Sequence, residues 1–540
     1  MISALLSAVL PASALGMPDV RGCAAEMQQL AGRWMQPAVP ARLAPHAPGL
    51  LAEQGGRSFS QLHLRANQLA RALRQHGLRA GDALALICSN RTEFVEVFLA
   101  AMRAGLRLTP INTHLTRDEV QYIVQDSGAR LLLAERALGA PGLAPAGVAE
   151  VVIGADPSSN YEAFLARGEA ADLPDAGGGT LMLYTSGTTG RPKGVRRDEP
   201  EIVEPQFAGS FADYQPGDVA LCCGPAYHSA PLLFDIRWPL ASGVPVVMMA
   251  KWDALQALQL IAQHRVTHMH MVPTMFQRLL ALPQAQRERF DLSSLRFVVH
   301  GAAPCPVPVK RAIIDWFGPV LTEYYAATEG GHGIHVNSQD WLHRPGTVGR
   351  MDPALGHRIV GDDGRVLGPG QVGRIFFRAP ETGRFEYHGD AEKTAAAYAG
   401  TAGPAGEHFT LGDMGYADEE GWLFLTGRAA ECIISGGVNI YPREIDEVLL
   451  RHSAVADACT VGAPDDEWGE RVVAVVVPAE GCLPTQQLAA ELSAHAAAHL
   501  ASFKRPREIV FDTALPHTAT GKLQRRLVRA RFWQGRGREI

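Results

Sequence analysis

Apolar residues along the first part of the chain recur alternately at helical and at strand spacing. The first predicted helix ends at Gly77, and its apolar positions lie three or four residues apart: Leu62, Ala66, Leu69 and Leu73. Predicted elements then follow in the order strand, helix and strand, at residues 83–88, 94–101 and 131–134. Helices that alternate with buried strands in this way predict a parallel sheet covered by helices.

The alternation continues through the middle of the chain and changes near residue 428. Apolar strands are predicted at 244–249 and 297–300, with a helix at 255–264 between them. A segment rich in glycine and aromatic residues, 374–424, predicts a smaller β-rich part of the same lobe. Beyond it, a compact α+β unit is predicted from helices and strands at residues 444–450, 455–461, 472–477, 485–499 and 508–511.

Together these patterns predict an α/β protein with a large N-terminal lobe of helix-covered sheets plus a smaller β-rich part, followed by a small α+β C-terminal domain. A chain of 540 residues exceeds a single ordinary core, which favours at least two domains. We expect a poorly ordered extension over residues 1–30, a large domain over 31–427 and a small domain over 428–540.

Composition and charge are typical of a globular enzyme. Hydrophobic residues make up 47% and charged residues 20%, which excludes a disordered or fibrous chain, and the net charge of -6 offers no basic surface to nucleic acid. The eight cysteines form no C-x-x-C pair, which indicates reduced thiols in a cytoplasmic protein. The apolar residues 1–16 lack a basic residue, and no stretch reaches transmembrane length.

A loop dense in glycine and hydroxyl groups lies in residues 181–195, LMLYTSGTTGRPKGV, directly after a short apolar strand. Glycine lets the backbone approach anionic oxygens, the hydroxyls donate hydrogen bonds, and the lysine adds positive charge. The residues expected to bind phosphate are Thr185, Ser186, Gly187, Thr188, Thr189, Gly190 and Lys193. Because Arg191 and Pro192 separate the second glycine from the lysine, the spacing disfavours a P-loop ATPase.

This string resembles the phosphate loop of the adenylate-forming superfamily, which includes acyl-CoA synthetases, luciferases and the adenylation domains of peptide synthetases. Further segments resemble that superfamily's motifs in the same order between about residues 59 and 526: PAYH at 225–228, GAAP at 301–304, YYAATE at 324–329, FTLGDMG at 409–415, SGGVNIYP at 435–442 and LPHTATGKLQRR at 515–526. Three positions depart from the superfamily's pattern: Ala326 for glycine, Leu411 for threonine and Ala430 for aspartate or lysine. The resemblance implies that the small domain is mobile about a hinge near 428–431.

The resemblance also implies how the nucleotide and coenzyme A are held. Tyr325 would stack on adenine, beside a turn formed by Gly301, Ala302 and Ala303. Asp413 and Arg428 would hold the ribose. Gly437 would leave room for the narrow pantetheine arm of coenzyme A.

For the chemistry, the resemblance implies that Glu329 holds Mg²⁺, for which a carboxylate is a suitable hard oxygen ligand. Thr328 would contact a phosphate or the acyl carboxylate, and Tyr227 or His228 would gate the acyl-binding mouth. Lys522 is a compact positive charge on a loop, able to bridge the carboxylate and the α-phosphate.

These features predict an ATP-dependent acyl-CoA synthetase that makes acyl-AMP and pyrophosphate, then transfers the acyl group to coenzyme A and releases AMP. The apolar segments 230–234 and 272–275 carry no evident charge for an amino group, which favours a fatty or a bulky ring-bearing acid. The expected partners are therefore a carboxylic acid, ATP, Mg²⁺ and coenzyme A, and a homodimer stays open.

Three alternatives remain at this point. An acyl-AMP ligase would pass the adenylate to a carrier protein, although no extra insertion before residue 427 favours it. An amino-acid-activating domain should have aspartate where His228 stands. A non-catalytic nucleotide-binding regulator would be expected to lack Lys522 or Glu329, and both are present.

Overall fold

The computed structural model describes residues 18–157, 159–185, 192–197, 199–399, 406–435, 438–465, 468–518 and 521–534. Their strands form two large, mainly parallel sheets, a small antiparallel sheet and a separate C-terminal sheet. The α/β prediction is thus confirmed, with large N-terminal and small C-terminal parts.

The first large sheet has eight strands, of which the inner six run parallel and the two edge strands antiparallel. In spatial order its strands are Gly330–Asn337, Leu321–Ala327, Phe297–His300, His268–Met271, Ala220–Cys222, Val246–Met248, Pro48–Leu51 and Arg57–Ser58. One face is covered by the helices Ala254–His264, Pro273–Leu280 and Val307–Phe317, whose apolar residues share one cluster with these strands.

The second large sheet has seven strands, five of them parallel. In spatial order they are Glu386–Tyr387, Lys193–Arg196, Thr180–Thr185, Arg107–Ile111, Ala83–Ile87, Ala129–Glu135 and Ala149–Ile153. Helices Phe59–Gln75 and Thr92–Ala104 lie between the two large sheets, because one apolar cluster joins them to strands of both. Helix Arg117–Asp126 packs on the opposite face of the second sheet.

Two further sheets, both mainly antiparallel, complete the described structure. The third sheet contains the strands Gly349–Arg350, Trp422–Arg428, His408–Ala417, Gly373–Arg378 and Arg358–Val360. The C-terminal sheet contains Val438–Ile440, Ile433–Ser435, Gly469–Pro478 and Val455–Asp465, with Glu508–Phe511 parallel to Gly469–Pro478. The C-terminal helices are Pro442–Leu449, Gln486–His499 and Arg525–Trp533.

Shorter helical segments connect these sheets. They are Arg21–Cys23, Ala24–Ala31, Ala38–Leu43, Arg136–Leu138, Tyr161–Leu165, Ser229–Pro231, Leu232–Arg237, Trp238–Ala241, Gln284–Arg287, Ser338–His343, Pro353–Leu355, Ala391–Ala397, Ala429–Glu431 and Ser502–Lys504. None of the helices in the described ranges combines the length and apolar character that a bilayer crossing requires. All eight cysteines are free thiols.

The start of the described chain differs from the prediction. Residues 18–30 were expected to belong to a poorly ordered extension, yet Val20 and Met27 are fully buried in the core shared by the two large sheets. Burial of these two apolar side chains is favourable, and it holds the segment against the large lobe.

Candidate active site

Three residues predicted to hold the nucleoside meet on the third sheet. Asp413 and Arg428 are direct partners on neighbouring antiparallel strands. The Asp413 carboxylate accepts a hydrogen bond from Arg428 Nε at 3.0 Å and another from the Tyr325 hydroxyl at 2.8 Å. Burial, reinforced by Asp413, raises the pKa of Tyr325 well above its usual value, so the phenol remains a neutral donor. The geometry offers a fixed carboxylate at the position proposed for the ribose.

The turn at 301–304 follows the buried strand Phe297–His300, and the backbone there leaves no room for larger residues. A Cβ on Gly301 would lie 2.6 Å from Tyr324 Cε1 and 2.7 Å from its carbonyl oxygen. Ala302 has φ of 64°, a left-handed conformation that an alanine rarely adopts. A backbone fixed in this conformation suits a surface against which a flat base lies, which is the role predicted for Gly301, Ala302 and Ala303.

Glu329 lies at the tip between strands Leu321–Ala327 and Gly330–Asn337, directly after Thr328. Its Oε1 accepts a hydrogen bond from the Tyr387 hydroxyl at 2.9 Å, and its backbone carbonyl accepts one from Arg197 Nη2 at 2.7 Å. Oε2 has no hydrogen-bond partner among the described residues. A hydrogen-bonded carboxylate with one open oxygen fits a hard dication.

A magnesium ion at Glu329 would take its other ligands from elsewhere. In the described ranges, no three His, Cys, Asp or Glu side chains are grouped so that they could hold a metal. Mg²⁺ usually keeps several waters and shares substrate phosphates with one or two carboxylates, so a single Glu329 fits this ion better than a protein cage would.

The phosphate loop closes a hairpin in which Thr185 pairs with Lys193 across the strands Thr180–Thr185 and Lys193–Arg196. Five predicted residues, Ser186, Gly187, Thr188, Thr189 and Gly190, lie outside the described residues. The Lys193 ammonium forms an ion pair with Asp390. This pairing lowers the pKa of the Asp390 carboxyl, so the carboxylate is charged at neutral pH.

Lys522 belongs to a loop of the small domain that touches the large lobe. Gly521, the residue before it, packs against Thr274 so closely that a Cβ would lie 2.7 Å from Thr274 Cβ. Desolvation, followed by the charge of Arg428, lowers the pKa of Lys522, although part of the side chain is open to solvent. The carboxylates of Asp413 and Glu329 are among the groups that raise the pKa of Lys522. The structure therefore docks the loop that carries Lys522 against the large lobe, where charges of the predicted nucleotide site act on its pKa.

The predicted acyl mouth contains a neutral histidine. The His228 ring lies 4.6 Å from the ring of Tyr227, and burial lowers the pKa of His228 to about 4. The Tyr227 hydroxyl lies 3.2 Å from Nδ1 of His114. Gly437, predicted to pass the pantetheine arm, lies outside the described residues.

Sequence reasoning missed Tyr387, Asp390 and Lys393. They lie around strand Glu386–Tyr387, which pairs antiparallel with Lys193–Arg196 and so reaches the base of the phosphate loop. The only local sequence signal is Asp390 three residues before Lys393, a spacing typical of a helix start; Asp390 Oδ1 accepts from Lys393 N at 2.9 Å.

Matches to known proteins extend along nearly the whole chain. Residues 39–385 match the family model of the AMP-binding enzymes, and residues 444–522 match that of the AMP-binding enzyme C-terminal domain. The chain is 34% identical to an indoleacetate–CoA ligase of Aromatoleum aromaticum, over 87% of this chain and 92% of that protein. It is 33% identical to the fatty acid–[acyl-carrier-protein] ligase ScoC of Streptomyces coeruleorubidus, over 92% and 95%.

Among solved structures, the anthranilate CoA ligase AuaEII in complex with anthranoyl-AMP superimposes with a TM-score of 0.81 at 25% identity, covering 94% of this chain and 98% of that one. The o-succinylbenzoate CoA synthetase of Bacillus subtilis, in complex with its acyl-adenylate, gives 0.75 at 26% identity, covering 92% and 98%. With both family models matched in order, the chain belongs to the adenylate-forming superfamily and is an AMP-forming acid ligase.

Proposed function

We propose that the protein is an ATP-dependent acyl-CoA synthetase that acts on an apolar carboxylic acid in the cytoplasm. The main support is the docking of the Lys522 loop: Gly521 rests on Thr274 of the large lobe, and Asp413 and Glu329 are among the charges that act on the pKa of Lys522. A lysine delivered to the nucleotide site in this way can neutralise an incoming carboxylate.

In the first half-reaction, a carboxylate oxygen attacks the α-phosphorus of ATP, the bond from that phosphorus to the bridging oxygen breaks, and pyrophosphate leaves. Asp413 holds the ribose, Tyr325 packs against the base, and Lys522 balances charge between the carboxylate and the α-phosphate. Mg²⁺ held by Glu329 would neutralise charge on the phosphates. Because these groups are fixed before reaction, they lower the entropic cost of alignment.

In the second half-reaction, the sulfur of coenzyme A attacks the acyl carbonyl, the thiol proton is released, and AMP leaves with the electron pair of the broken acyl–phosphate bond. The neutral His228 beside Tyr227 lies at the predicted acyl mouth and would act as part of a gate. Movement of the small domain about residues 428–431 would exchange Lys522 for the face that carries Gly437.

An apolar acid, either fatty or ring-bearing, is supported by the aromatic side chains on the segment that follows the mouth. The Phe234 ring lies 4.9 Å from the rings of Trp238 and Tyr324, and it stacks on His270 at 5.6 Å. Relatives named for indoleacetate and ferulate act on ring-bearing acids. Each buried methylene or equivalent carbon should add about 0.8 kcal/mol of binding.

A carrier protein is the second candidate acceptor, because one similar relative is named as a fatty acid–[acyl-carrier-protein] ligase. The two acceptors are separated by measuring pyrophosphate and AMP release with coenzyme A, with a phosphopantetheinylated carrier protein, and with neither. AMP release that requires coenzyme A supports the proposed acceptor, whereas release only with the carrier protein overturns it.

The substrate class is tested with a panel of carboxylic acids in the same assay. We expect higher kcat/KM for octanoate and for arylacetic or cinnamic acids than for acetate or amino acids. If acetate or an amino acid matched the best apolar acid, the proposed acid class would be wrong.

A further inference from the structure

Lys393 lies on the helix Ala391–Ala397, next to the base of the phosphate loop. The preceding strand, Glu386–Tyr387, is the edge partner of Lys193–Arg196, with Tyr387 opposite Val195. The turn between strand and helix is fixed by Thr394, whose hydroxyl accepts from Tyr387 N at 2.9 Å and donates to Asp390 O at 2.8 Å. Sheet pairing and these bonds therefore hold Lys393 at a defined place beside the loop.

The ammonium of Lys393 is positioned by Tyr387. Lys393 Nζ lies 3.9 Å from the centre of the Tyr387 ring, within the range of a cation–π contact. The hydroxyl of the same tyrosine donates to Glu329 Oε1 at 2.9 Å. One aromatic side chain thus links Lys393 to the carboxylate proposed to hold Mg²⁺.

Lys393 differs from the phosphate-loop lysine in its ion pairing. Lys193 is paired with Asp390, whereas Lys393 forms no ion pair with any carboxylate in the described ranges. Burial and then the nearby charge of Lys193 lower the pKa of Lys393, whereas the carboxylates of Glu329 and Asp390 act in the opposite direction. Because Lys193 lies close enough to disfavour the charged form of Lys393, an anion bound beside both lysines would stabilise the two ammonium groups.

We propose that Lys393 is a second phosphate-binding lysine, which together with Lys193 contacts the β- and γ-phosphates of ATP. This assignment rests on the proposed function, and it gives the pyrophosphate group a residue outside the phosphate loop. As the bond to the α-phosphorus breaks, negative charge grows on the departing pyrophosphate, and a preorganised ammonium there stabilises it.

The test is isothermal titration of the full-length protein with Mg·ATP, with Mg·pyrophosphate and with AMP. Lys393→Gln should weaken ATP and pyrophosphate binding about ten-fold or more, the loss expected for one charge-assisted hydrogen bond, and should change AMP binding less than about three-fold. Lys393→Arg, which keeps the charge, should recover most of the loss. Lys251→Gln removes the same charge at an exposed site of the large lobe and should bind all three ligands as the wild type does.

Unchanged ATP and pyrophosphate binding in Lys393→Gln would overturn the assignment, and so would an equal loss for AMP, which indicates a merely structural role. Melting temperatures of both Lys393 variants identify a folding defect. If Lys393→Gln does not fold, the folded Lys393→Arg variant provides the test. Failure of that variant to bind pyrophosphate better than AMP would also overturn the assignment. These titrations need no acid substrate. A wild type that binds ATP but activates no acid would defeat the proposed function and leave the result on Lys393 standing.

Discussion

Gly521 of the small domain lies against Thr274 of the large lobe with no space for a side chain between them. Gly521 also has φ of 79°, which glycine adopts without strain. Gly521→Ala should therefore destabilise this docked arrangement by about 1–3 kcal/mol. We expect adenylation to slow roughly ten- to hundred-fold, while thioester formation from supplied acyl-AMP is less affected, as measured by single-turnover kinetics.

Gly481→Ala is the matched control for Gly521→Ala. Gly481 lies in the same domain with φ of 82°, and a Cβ there would meet nothing within 4 Å. Any effect of backbone strain alone should appear in both variants. Similar adenylation rates in the two would show that contact with Thr274 is not needed for the first half-reaction.

Removing the ammonium that this contact delivers should separate the two half-reactions. Lys522→Ala should slow adenylation by about 10² to 10³, similar to the loss of one preorganised electrostatic donor. Thioester formation from supplied acyl-AMP should persist. Lys504→Ala, which removes a small-domain lysine paired with Glu444, serves as the control. An equal loss in both half-reactions would contradict the role of Lys522.

Glu329→Gln tests the proposed metal ligand. The neutral amide is a poorer ligand for a hard dication, so the Mg²⁺ concentration that gives half-maximal adenylation should rise about ten-fold. Glu419→Gln changes an exposed carboxylate in the turn between strands His408–Ala417 and Trp422–Arg428, and it should leave that concentration unchanged. Initial rates over a magnesium titration provide the measurement, and unaltered dependence in Glu329→Gln would remove this residue from the metal site.

The ammonium of Lys193, the lysine of the predicted phosphate loop, is paired with the Asp390 carboxylate. Asp390→Asn should strengthen ATP binding by several-fold, because a carboxylate no longer competes for Lys193. Asparagine also keeps the cap of helix Ala391–Ala397, since its side-chain oxygen can still accept from Lys393 N. Titration with Mg·ATP measures the change in ATP binding, and the melting temperature shows whether the helix cap is kept. Weaker ATP binding would instead mean that Asp390 aligns Lys193 for the phosphate.

Sequence patterns predicted the local elements of this fold well. Strands Phe297–His300 and Glu508–Phe511 have the predicted bounds, because short apolar runs between turn residues need no distant information. The motif residues Asp413 and Arg428 could also be predicted from the resemblance, and the structure pairs them.

What the sequence did not predict depends on contacts between distant parts of the chain. Tyr387 and Asp390 reach the site because Glu386–Tyr387 adds to a sheet edge formed some 190 residues earlier, and no local periodicity reports such pairing. Val20 and Met27 likewise become core residues only through packing against the large lobe. Both differences therefore come from tertiary packing that overrides the local signal.

We expect the pivot of the small domain to lie between two ion pairs. Arg428 is held to the large lobe by Asp413, with Nε to Oδ1 at 3.0 Å, and Glu431 is held to the small domain by Arg525, with Oε2 to Nε at 3.1 Å. Ala429 and Ala430 lie between these anchors, so we expect them to absorb a rotation of the domain.

Ala430→Pro tests this pivot, because proline fixes φ and removes an N–H. We expect it to slow thioester formation more than adenylation, about ten-fold or more, since the small domain already contacts the large lobe in the arrangement that delivers Lys522. Ala430→Asp, which leaves φ free, should be tolerated and serves as the control. Single-turnover kinetics of each half-reaction decide the matter. Normal thioester formation in the proline variant would place the pivot at Arg428 or Glu431 instead, at the cost of one of the two ion pairs that now bound it.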